Sequence, residues 1–549
     1  MTALRRPSSK SETAAHRRKS SVHADDAALA GMGIKQELNR NFSFLSMLGL
    51  AFAILNTWTA AGASMSLALP SGGPSSVSWG LIVAGICNMC LAASLAEFLS
   101  AFPTAGGQYH WVAVISWKRW VPLLSWITGW INTAGWVALA ATAGLLGSTL
   151  IIGIISLADP SYESQRWHQF LIYIAFNLIA FLVNAYLTRL LPLVTQSALY
   201  WSIAGWLVIS ITILACASPD YQTGHFVYGQ FVNETGWPDG LAWLLGLLQG
   251  SFSLTAFDAV AHCVEELGDA TIEGPRIMLA CVLIGVVTGF IYLSVLLFCA
   301  KDIDTVISSA AGPMLEIFYQ ATGSKAGAIC LLMFPLICLM FAGISIMTTS
   351  SRMVYAFARD GGLPASKYLA RVHRKLVVPL NALIFTAILV IIFGCIFLGS
   401  TSAYNAIVSA SVVALGVTYA IPPAINCLRG RKMLPESRPF ILPSALGWVC
   451  NLVGIAYTIL TTILFMFPPV KEVTGSNMNY CVAAFAIVFI VSVIQWFVDG
   501  RKNYTGPRLD VNALKRGSII GMAPVDSNSV PQAENGIDDI REKRADRET

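Results

Sequence analysis

Asp258 is the residue best suited to chemistry in this sequence, because it is a carboxylate inside a long apolar segment. Residues 250–258 read Gly-Ser-Phe-Ser-Leu-Thr-Ala-Phe-Asp. A carboxylate within a membrane is costly and indicates a function. Asp258 is a candidate to balance a substrate ammonium or to take up a proton, and a structural hydrogen bond is the alternative. His262 lies one turn further on the same helix face and could share that proton, although a lone membrane histidine is more often a core residue.

Small and polar residues interrupt a second apolar segment, where residues 55–64 read Leu-Asn-Thr-Trp-Thr-Ala-Ala-Gly-Ala-Ser. Paired interruptions of this kind are typical of transporters that bind solute where helices unwind. Unwinding frees N–H groups that favour a carboxylate and carbonyls that favour an ammonium. Close packing of small residues is the alternative. Trp58 and Phe257 flank the interruptions and could hold an ammonium by cation–π attraction, with Phe252, Trp130 and Trp136 as weaker candidates.

Composition indicates a membrane protein. The chain has 549 residues, of which 55% are hydrophobic and 12% are charged, and its mean hydropathy is +0.65. A soluble domain carries about 25% charged residues. An ordinary soluble enzyme, a disordered protein and a nucleic-acid binder are therefore excluded. The seven histidines do not cluster as a membrane metalloenzyme requires, and no P-loop supports an ATP-driven pump. We expect a non-enzyme with no cofactor and no metal site.

Long apolar segments supply the elements that must position these residues. Each is long enough for the roughly 20 residues that a membrane helix needs, and 120–156 is too long for one straight span, so it is expected to tilt or to extend past the interface. We predict an all-α polytopic membrane protein with twelve transmembrane helices over 42–498. Residues 1–41 and 499–549 are polar and charged, so they are predicted to be disordered tails. The twelve segments are 43–69, 79–101, 120–156, 168–188, 192–216, 241–264, 277–300, 326–348, 379–399, 404–425, 444–467 and 479–498.

The distribution of positive charge predicts the orientation. With both termini in the cytoplasm, 31 of the 35 Lys and Arg residues fall in the tails and the cytoplasmic connections, and four fall on the other face. Such asymmetry is what the positive-inside rule requires. The sequon at Asn233 then lies in an outer loop, 217–240, and is a predicted glycosylation site. The chain is expected in the cell membrane as a multi-pass protein.

Four stretches of the sequence resemble the amino acid–polyamine–organocation (APC) superfamily. Within it they are most similar to the fungal amino acid/choline transporter family, which includes choline permeases and γ-aminobutyrate (GABA) permeases. The similarity runs in order through residues 35–500. The stretches are Leu55-Asn-Thr-Trp-Thr59 with Leu69-Pro-Ser-Gly-Gly-Pro74, Ala96-Glu-Phe98 with Phe102-Pro-Thr-Ala-Gly-Gly-Gln-Tyr-His-Trp111, Thr255-Ala-Phe-Asp258 with Glu265-Glu266 and Pro275-Arg276, and Ser351-Arg-Met-Val-Tyr-Ala-Phe-Ala-Arg-Asp-Gly-Gly-Leu-Pro364.

This resemblance implies a LeuT-like fold, a 5+5 inverted repeat with discontinuous helices 1 and 6. Repeat one would span 43–216, repeat two 241–425, and accessory helices 444–498. The implied activity is uptake of a small nitrogenous solute by alternating access, with choline, GABA, another amino acid or an amine as open choices. Asn56, Thr57 and Gly62 would line the site at the first interruption. A polyamine permease and a nutrient sensor with a transporter fold are the alternatives.

The resemblance also implies an inner gate and a coupling ion. Glu97, Glu265 and Glu266 would belong to the gate and pair with cytoplasmic arginines such as Arg189, Arg276 or Arg352. Interfacial solvation is the alternative for these acids. A proton is the expected coupling ion, with sodium as the alternative. Some bacterial relatives bind the proton on a lysine in the fifth span, but residues 193–201 contain none, so here the proton would bind elsewhere.

Overall fold

The chain folds into a bundle of helices in a computed structural model that describes residues 42–376, 378–399, 403–475 and 478–508. The predicted tail at 1–41 and most of that at 499–549 lie outside these residues. Within them, β-structure consists of isolated bridges alone. The helices are α1 (Phe44–Leu55), α2 (Thr57–Ala63), α3 (Gly73–Ala101), α4 (Gln108–Ile115), α5 (Val121–Ala158), α6 (Arg166–Tyr186), α7 (Leu191–Ala217), α8 (Gly224–Gly229), α9 (Asp239–Ser253), α10 (Ala259–His262), α11 (Ala270–Cys299), α12 (Ile303–Ser308), α13 (Pro313–Thr322), α14 (Lys325–Arg359), α15 (Ser366–Leu369), α16 (Leu380–Gly399), α17 (Ala403–Leu428), α18 (Ser444–Leu464) and α19 (Cys481–Gln495).

Ten helical stretches in the described part of the chain are long and apolar enough to cross a membrane. A multi-pass membrane protein is therefore confirmed. The two other predicted spans are not among these ten helical stretches. Segment 241–264 is interrupted after α9, and segment 379–399 contains a shorter apolar helix, Leu380–Ile396. The count of twelve spans and the inverted repeat remain predictions.

The first interruption lies at Asn56. Ser43 begins α1 with a capping box, in which Ser43 and Ser46 bond each other's backbone N–H groups. Asn56 then adopts the left-handed conformation, with φ 30° and ψ 52°, and the helix restarts as α2. Asparagine tolerates this region better than most residues with a side chain. The first N–H groups of α2 consequently have no carbonyl of a preceding turn to pair with.

The second interruption separates α9 from α10. Hydroxyl groups of Ser251, Ser253 and Thr255 bond to backbone carbonyls three or four residues earlier. Such bonds compete with the helical hydrogen-bond ladder. Ala256 has φ +79°, which no α-helix accepts, and Asp258 precedes the single turn of α10. Gln249 donates to the carbonyl of Ala61 at 2.7 Å, so it ties α9 directly to α2.

The remaining long helices surround the two interrupted ones. α3 packs against α9, α11 and α18, while α5 packs against α14 and α17. Segment 102–120, which contains α4, contacts segments 359–379 and 429–443 at one end of the bundle, which we call the basic end for its arginines. Loop 218–238 packs on residues 70–75 at the opposite end.

Residues 499–508 differ from the predicted disordered tail. A π-helical turn, Trp496–Gly500, continues into a short helix, Arg501–Asn503. Tyr504 is then buried against Trp126 and Phe357, and its hydroxyl bonds that of Ser125 at 2.8 Å. Aromatic burial of this kind fixes the segment on the basic end. The ordered bundle therefore extends at least ten residues beyond the predicted boundary.

Candidate functional site

Asp258 lies at the centre of a fully buried polar cluster. Tyr419 of α17 donates to Oδ1 at 2.5 Å, and Gln108 of α4 donates to Oδ2 at 2.7 Å. The indole of Trp136 on α5 donates to Oδ2 at 3.4 Å. Asp258 itself has no solvent exposure. Several donors therefore compensate the cost of burying this carboxyl group.

His262 completes this cluster. Its Nε2 lies 3.1 Å from Oδ2 of Asp258, and its Nδ1 lies 2.9 Å from the carbonyl oxygen of Ala105. Asn132 on α5 donates to the amide oxygen of Gln108 at 2.8 Å and lies 3.5 Å from Nε2 of His262. The structure thus brings together Asp258 and His262, which the sequence paired by their spacing. It adds two amides and a phenol from other helices.

A small cavity separates the two interruptions. Asn56 and Thr255 are the polar members of its lining, and Phe252 is its aromatic member. Its free volume of about 20 Å³ holds roughly one water molecule. The other lining residues are aliphatic: Ile54, Leu55, Ala60, Leu139, Ala143, Leu146, Leu339, Ala342 and Ile346. The described conformation is therefore closed around this point.

Four other predicted binding residues lie outside the cavity lining. The indole of Trp58 donates to Ser202 at 2.8 Å, and Ser202 in turn donates to Asn56 at 3.0 Å. Phe257 packs on Tyr419 with ring centroids 4.8 Å apart. Thr57 faces Gly285 and Gly289 of α11, while Gly62 faces Tyr292 and Met314. Trp58, Thr57 and Gly62 pack the first interruption against its neighbours, and Phe257 packs the second. Asp258 is likewise absent from the lining.

The three glutamates predicted for an inner gate form buried ion pairs at the basic end. Glu97 contacts Arg431 and Arg438, both at 2.7 Å, and accepts the N–H of Leu442. Glu266 pairs with Arg352 at 3.0 Å. Glu265 pairs with Arg359 at 3.3 Å and accepts the N–H of Ala105 at 3.1 Å. Together they join α3, α14, the second interruption and loop 429–443.

Of the suggested arginine partners, Arg352 is the one that pairs with Glu266. Arg276 instead pairs with Glu273 on its own helix, and Arg189 is exposed. Arg431 and Arg438 were not predicted as partners of Glu97. They lie in loop 429–443, more than 300 residues further along the chain, and this loop folds back onto α3. Nothing in the spacing of these arginines indicates that return.

Asp360 is the centre of a second cluster at the basic end. It accepts hydrogen bonds from Tyr109 at 2.8 Å and from the N–H of Arg508 at 3.2 Å, and it meets Nε2 of His110 at 2.7 Å. Burial alone would raise the pKa of Asp360. The hydrogen bond and charge of His110, together with Arg359, outweigh burial and hold that pKa below its usual value. Asp360 is thus a carboxylate that the fold keeps ionised.

Asn233 lies in loop 218–238, at the end opposite the arginines. Its side-chain nitrogen donates to the carbonyl of Trp237 at 2.7 Å and to Asp239 at 2.9 Å. Its side-chain oxygen accepts the hydroxyl of Thr235. Glycosylation at Asn233 remains a prediction, and it requires these two donor bonds to open.

Three residues of the buried cluster were not identified as site residues from sequence. Gln108 was noted within a family-like stretch, but without a role. Tyr419 and Asn132 are polar residues inside apolar segments, and that is the signal that could have indicated them. Among the described residues, no group of three or more His, Cys, Asp and Glu lies placed to hold a metal ion.

Comparison with known proteins covers the whole bundle. Residues 43–492 match a family model described as amino acid permease. A protein of Macrophomina phaseolina assigned as an amino acid/polyamine transporter is 36% identical over 444 residues, which are 80% of this chain and 97% of that protein. The choline transporter of Saccharomyces cerevisiae is 32% identical over 472 residues, 85% and 83% of the two chains. Amino-acid permease BAT1 of Arabidopsis thaliana is 31% identical over 495 residues, 87% and 95% of the two chains. The matched region includes both interruptions and the buried ion pairs.

Proposed function

Because the chain belongs to the amino acid permease family, we propose that it is a secondary transporter that imports a small nitrogenous solute across the plasma membrane. One observation carries this proposal. Two interrupted helices meet at a closed cavity, and each contributes one polar side chain to it, Asn56 and Thr255. Interrupted helices that face each other in mid-membrane are the arrangement in which transporters bind their solute.

The lining of the cavity suggests how such a solute binds. The first turn of α2 offers N–H groups at the positive end of a helix, which suit a carboxylate. The ring of Phe252 suits an ammonium, as would backbone carbonyls that leave the helical ladder at the second interruption. The aliphatic remainder suits a short hydrocarbon chain. Choline, GABA, other amino acids and small amines each carry groups that these elements would bind, and the cavity, which now has room for about one water molecule, must widen to take any of them.

Alternating access would require the basic end to open. The ion pairs of Glu97, Glu265 and Glu266 hold that end together, so they are proposed as the inner gate. The positive-inside rule places this end, and both termini, in the cytoplasm. The opposite end, with Asn233, would then face outward. A closed cavity with intact gate pairs corresponds to a state between the two open ones.

Uptake in yeast lacking its own permeases tests the proposal. Labelled choline, GABA, an amino-acid mixture and spermidine are the probes, each offered with and without a protonophore. We expect one class to accumulate. Asn56→Ala and Phe252→Ala should raise KM for it about tenfold, the value of one lost contact of roughly 1.4 kcal/mol. Glu273→Gln, in an exposed pair on α11, is the control and should leave uptake unchanged. Accumulation of no probe by a protein at the cell surface would favour the sensor alternative.

A further inference from the structure

The hydrogen-bond inventory around His262 determines where one proton must lie. The carbonyl oxygen of Ala105 can only accept, so Nδ1 of His262, 2.9 Å away, carries a hydrogen. Nε2 then faces Oδ2 of Asp258 at 3.1 Å. A neutral ring presents a lone pair at Nε2, and an ionised carboxylate presents lone pairs at Oδ2. Their contact is attractive only when one proton lies between them.

The other partners of Asp258 cannot supply this proton. The N–H of Ala256 donates to the hydroxyl oxygen of Tyr419, which leaves the hydroxyl hydrogen to donate to Oδ1. Asn132 donates to the oxygen of Gln108, so the amide nitrogen of Gln108 is turned toward Oδ2. The second N–H of Asn132 reaches Nε2 only at 3.5 Å, so the closer contact of Nε2 with Oδ2, at 3.1 Å, is the place for one exchangeable proton.

We propose that Asp258 and His262 together bind a single proton, in a site beside the solute cavity, and that this proton is the coupling ion of transport. The inference rests on the proposed transport function. In the uptake step, a proton from the outer water forms an Nε2–H or Oδ2–H bond. In the release step, that bond breaks and the proton passes to cytoplasmic water. Asp258 is then a proton carrier and not the partner of a substrate ammonium, in accord with its absence from the cavity lining.

The surroundings of the pair isolate it from other titratable groups. From α17 it faces the phenol of Tyr419, behind which lies the thiol of Cys281 on α11. From α5 it meets the amide of Asn132 and the indole of Trp136, and from α4 the amide of Gln108. The charged pair Glu265–Arg359 reaches the site only through Ala105, whose N–H donates to Glu265.

Ala105 gives the proton a connection to the inner gate. One residue accepts from His262 and donates to Glu265, so loss of the proton acts on both bonds. Without it, lone pairs of Asp258 and His262 oppose each other and the contact separates. The imidazole of His262 then moves away from Asp258 and, because its Nδ1–H stays bonded to Ala105, it moves that loop next to the pair that closes the basic end. Protonation therefore favours the closed gate described here.

Proton flux in vesicles containing the full chain tests the site. A pH-sensitive dye inside the vesicles reports acidification driven by whichever of choline, GABA, the amino-acid mixture or spermidine the wild type transports. Asp258→Asn can still donate to Nε2 of His262, as a protonated carboxyl would, but it cannot release a proton, and its amide nitrogen no longer accepts the bonds that Oδ2 accepts from Gln108 and Trp136. We expect it to retain exchange of labelled for unlabelled solute and to lose solute-driven acidification. Asp304→Asn and His225→Gln, which change an exposed carboxylate and an exposed imidazole, should keep both. Acidification by Asp258→Asn would overturn the proposal, as would wild-type solute transport without proton flux.

Infrared spectra recorded at stepped pH on the purified protein test proton binding without any solute. The wild type should show a titrating carboxyl or imidazolium band that disappears in Asp258→Asn and shifts in His262→Gln. A purely structural histidine would leave the titration of Asp258 unmoved. Spectra unchanged by both variants would refute the shared proton. A titrating band in a protein that transports none of the probes would support the proton site and count against the transport proposal.

Discussion

Glu97 shows how strongly a single buried residue can depend on its partners. Its side chain is 2% exposed and pairs with two arginines, whose side chains are 8% and 10% exposed. Glu97→Gln leaves an uncompensated buried charge, so we expect unfolding to become easier by about 3–5 kcal/mol. Thermal unfolding of purified protein, followed by tryptophan fluorescence, measures this. The control Glu273→Gln changes a partly exposed pair and should cost at most about 1 kcal/mol. Equal losses from both variants would contradict the role of burial.

Asp360 should make the stability of the fold depend on pH. Its pKa is lowered in the folded protein, so it adds stability at neutral pH. That contribution begins to be lost as the pH falls below about 4, the pKa of an unfolded aspartate, and disappears once the pH passes its lowered pKa. The melting temperature of Asp360→Asn should therefore lie below that of the wild type at pH 7, and the difference should shrink in acid. A difference independent of pH would contradict this account.

At the residue scale, the sequence predicts which residues matter where a charged side chain stands in an apolar segment. Glu97 and Asp258 were singled out because carboxylates are rare inside apolar segments, and the structure buries both. The direction in which Trp58 points was not predictable, because it depends on Ser202 of another helix. Likewise, the conformation of loop 429–443 decides which arginines meet Glu97. The hydrophobic periodicity of the sequence does not predict a loop conformation.

At the scale of elements, α9 and α3 approach closely just before the second interruption. A Cβ on Gly250 would stand 2.8 Å from the carbonyl oxygen of Gly80, a backbone atom that cannot rotate away. Gly250→Ala should therefore destabilise the fold by about 1–3 kcal/mol and reduce uptake. Gly416→Ala, where the nearest atom is 3.9 Å away, should stabilise α17 by roughly 0.5–1 kcal/mol. Melting temperatures of the two variants should shift in opposite directions.

The positions of the interruptions were predictable from the sequence, but their geometry was not. Polar and small residues in 55–64 and 250–258 indicated where the helical ladder weakens, and both breaks lie there. The left-handed conformations of Asn56 and Ala256 follow from packing against neighbouring helices. Asparagine offers a local hint of such a conformation, whereas alanine offers none.

At the scale of the whole molecule, residues 500–508 close the bundle at the basic end. A chain ending at residue 499 loses the buried ring of Tyr504 and the bond from Arg508 to Asp360. We expect it to be less stable by about 3–5 kcal/mol, the cost of removing a buried aromatic side chain. A chain ending at residue 508 keeps every contact described here and should melt like the full chain. Similar melting of the two truncated chains would contradict a stabilising role for this segment.

Composition was enough to predict a multi-pass membrane protein, because so few charges cannot cover a soluble surface of this size. The end of the ordered domain was misplaced because Tyr504 and its neighbours lie in a polar context. A single aromatic residue has little effect on the mean hydropathy of a stretch of charged residues. Its partners, Trp126 and Phe357, are distant in sequence, so its burial is visible only in three dimensions.

The link at Ala105 has a consequence for how substitutions can affect this protein. Both of its bonds use main-chain atoms, the carbonyl toward His262 and the N–H toward Glu265. Ala105 is buried, so any side chain small enough to fit there would keep the same two bonds. Proline alone lacks the N–H and would disconnect the gate while leaving the histidine bond. The link is made of peptide groups, so it depends on the backbone conformation at residue 105 and not on a particular side chain.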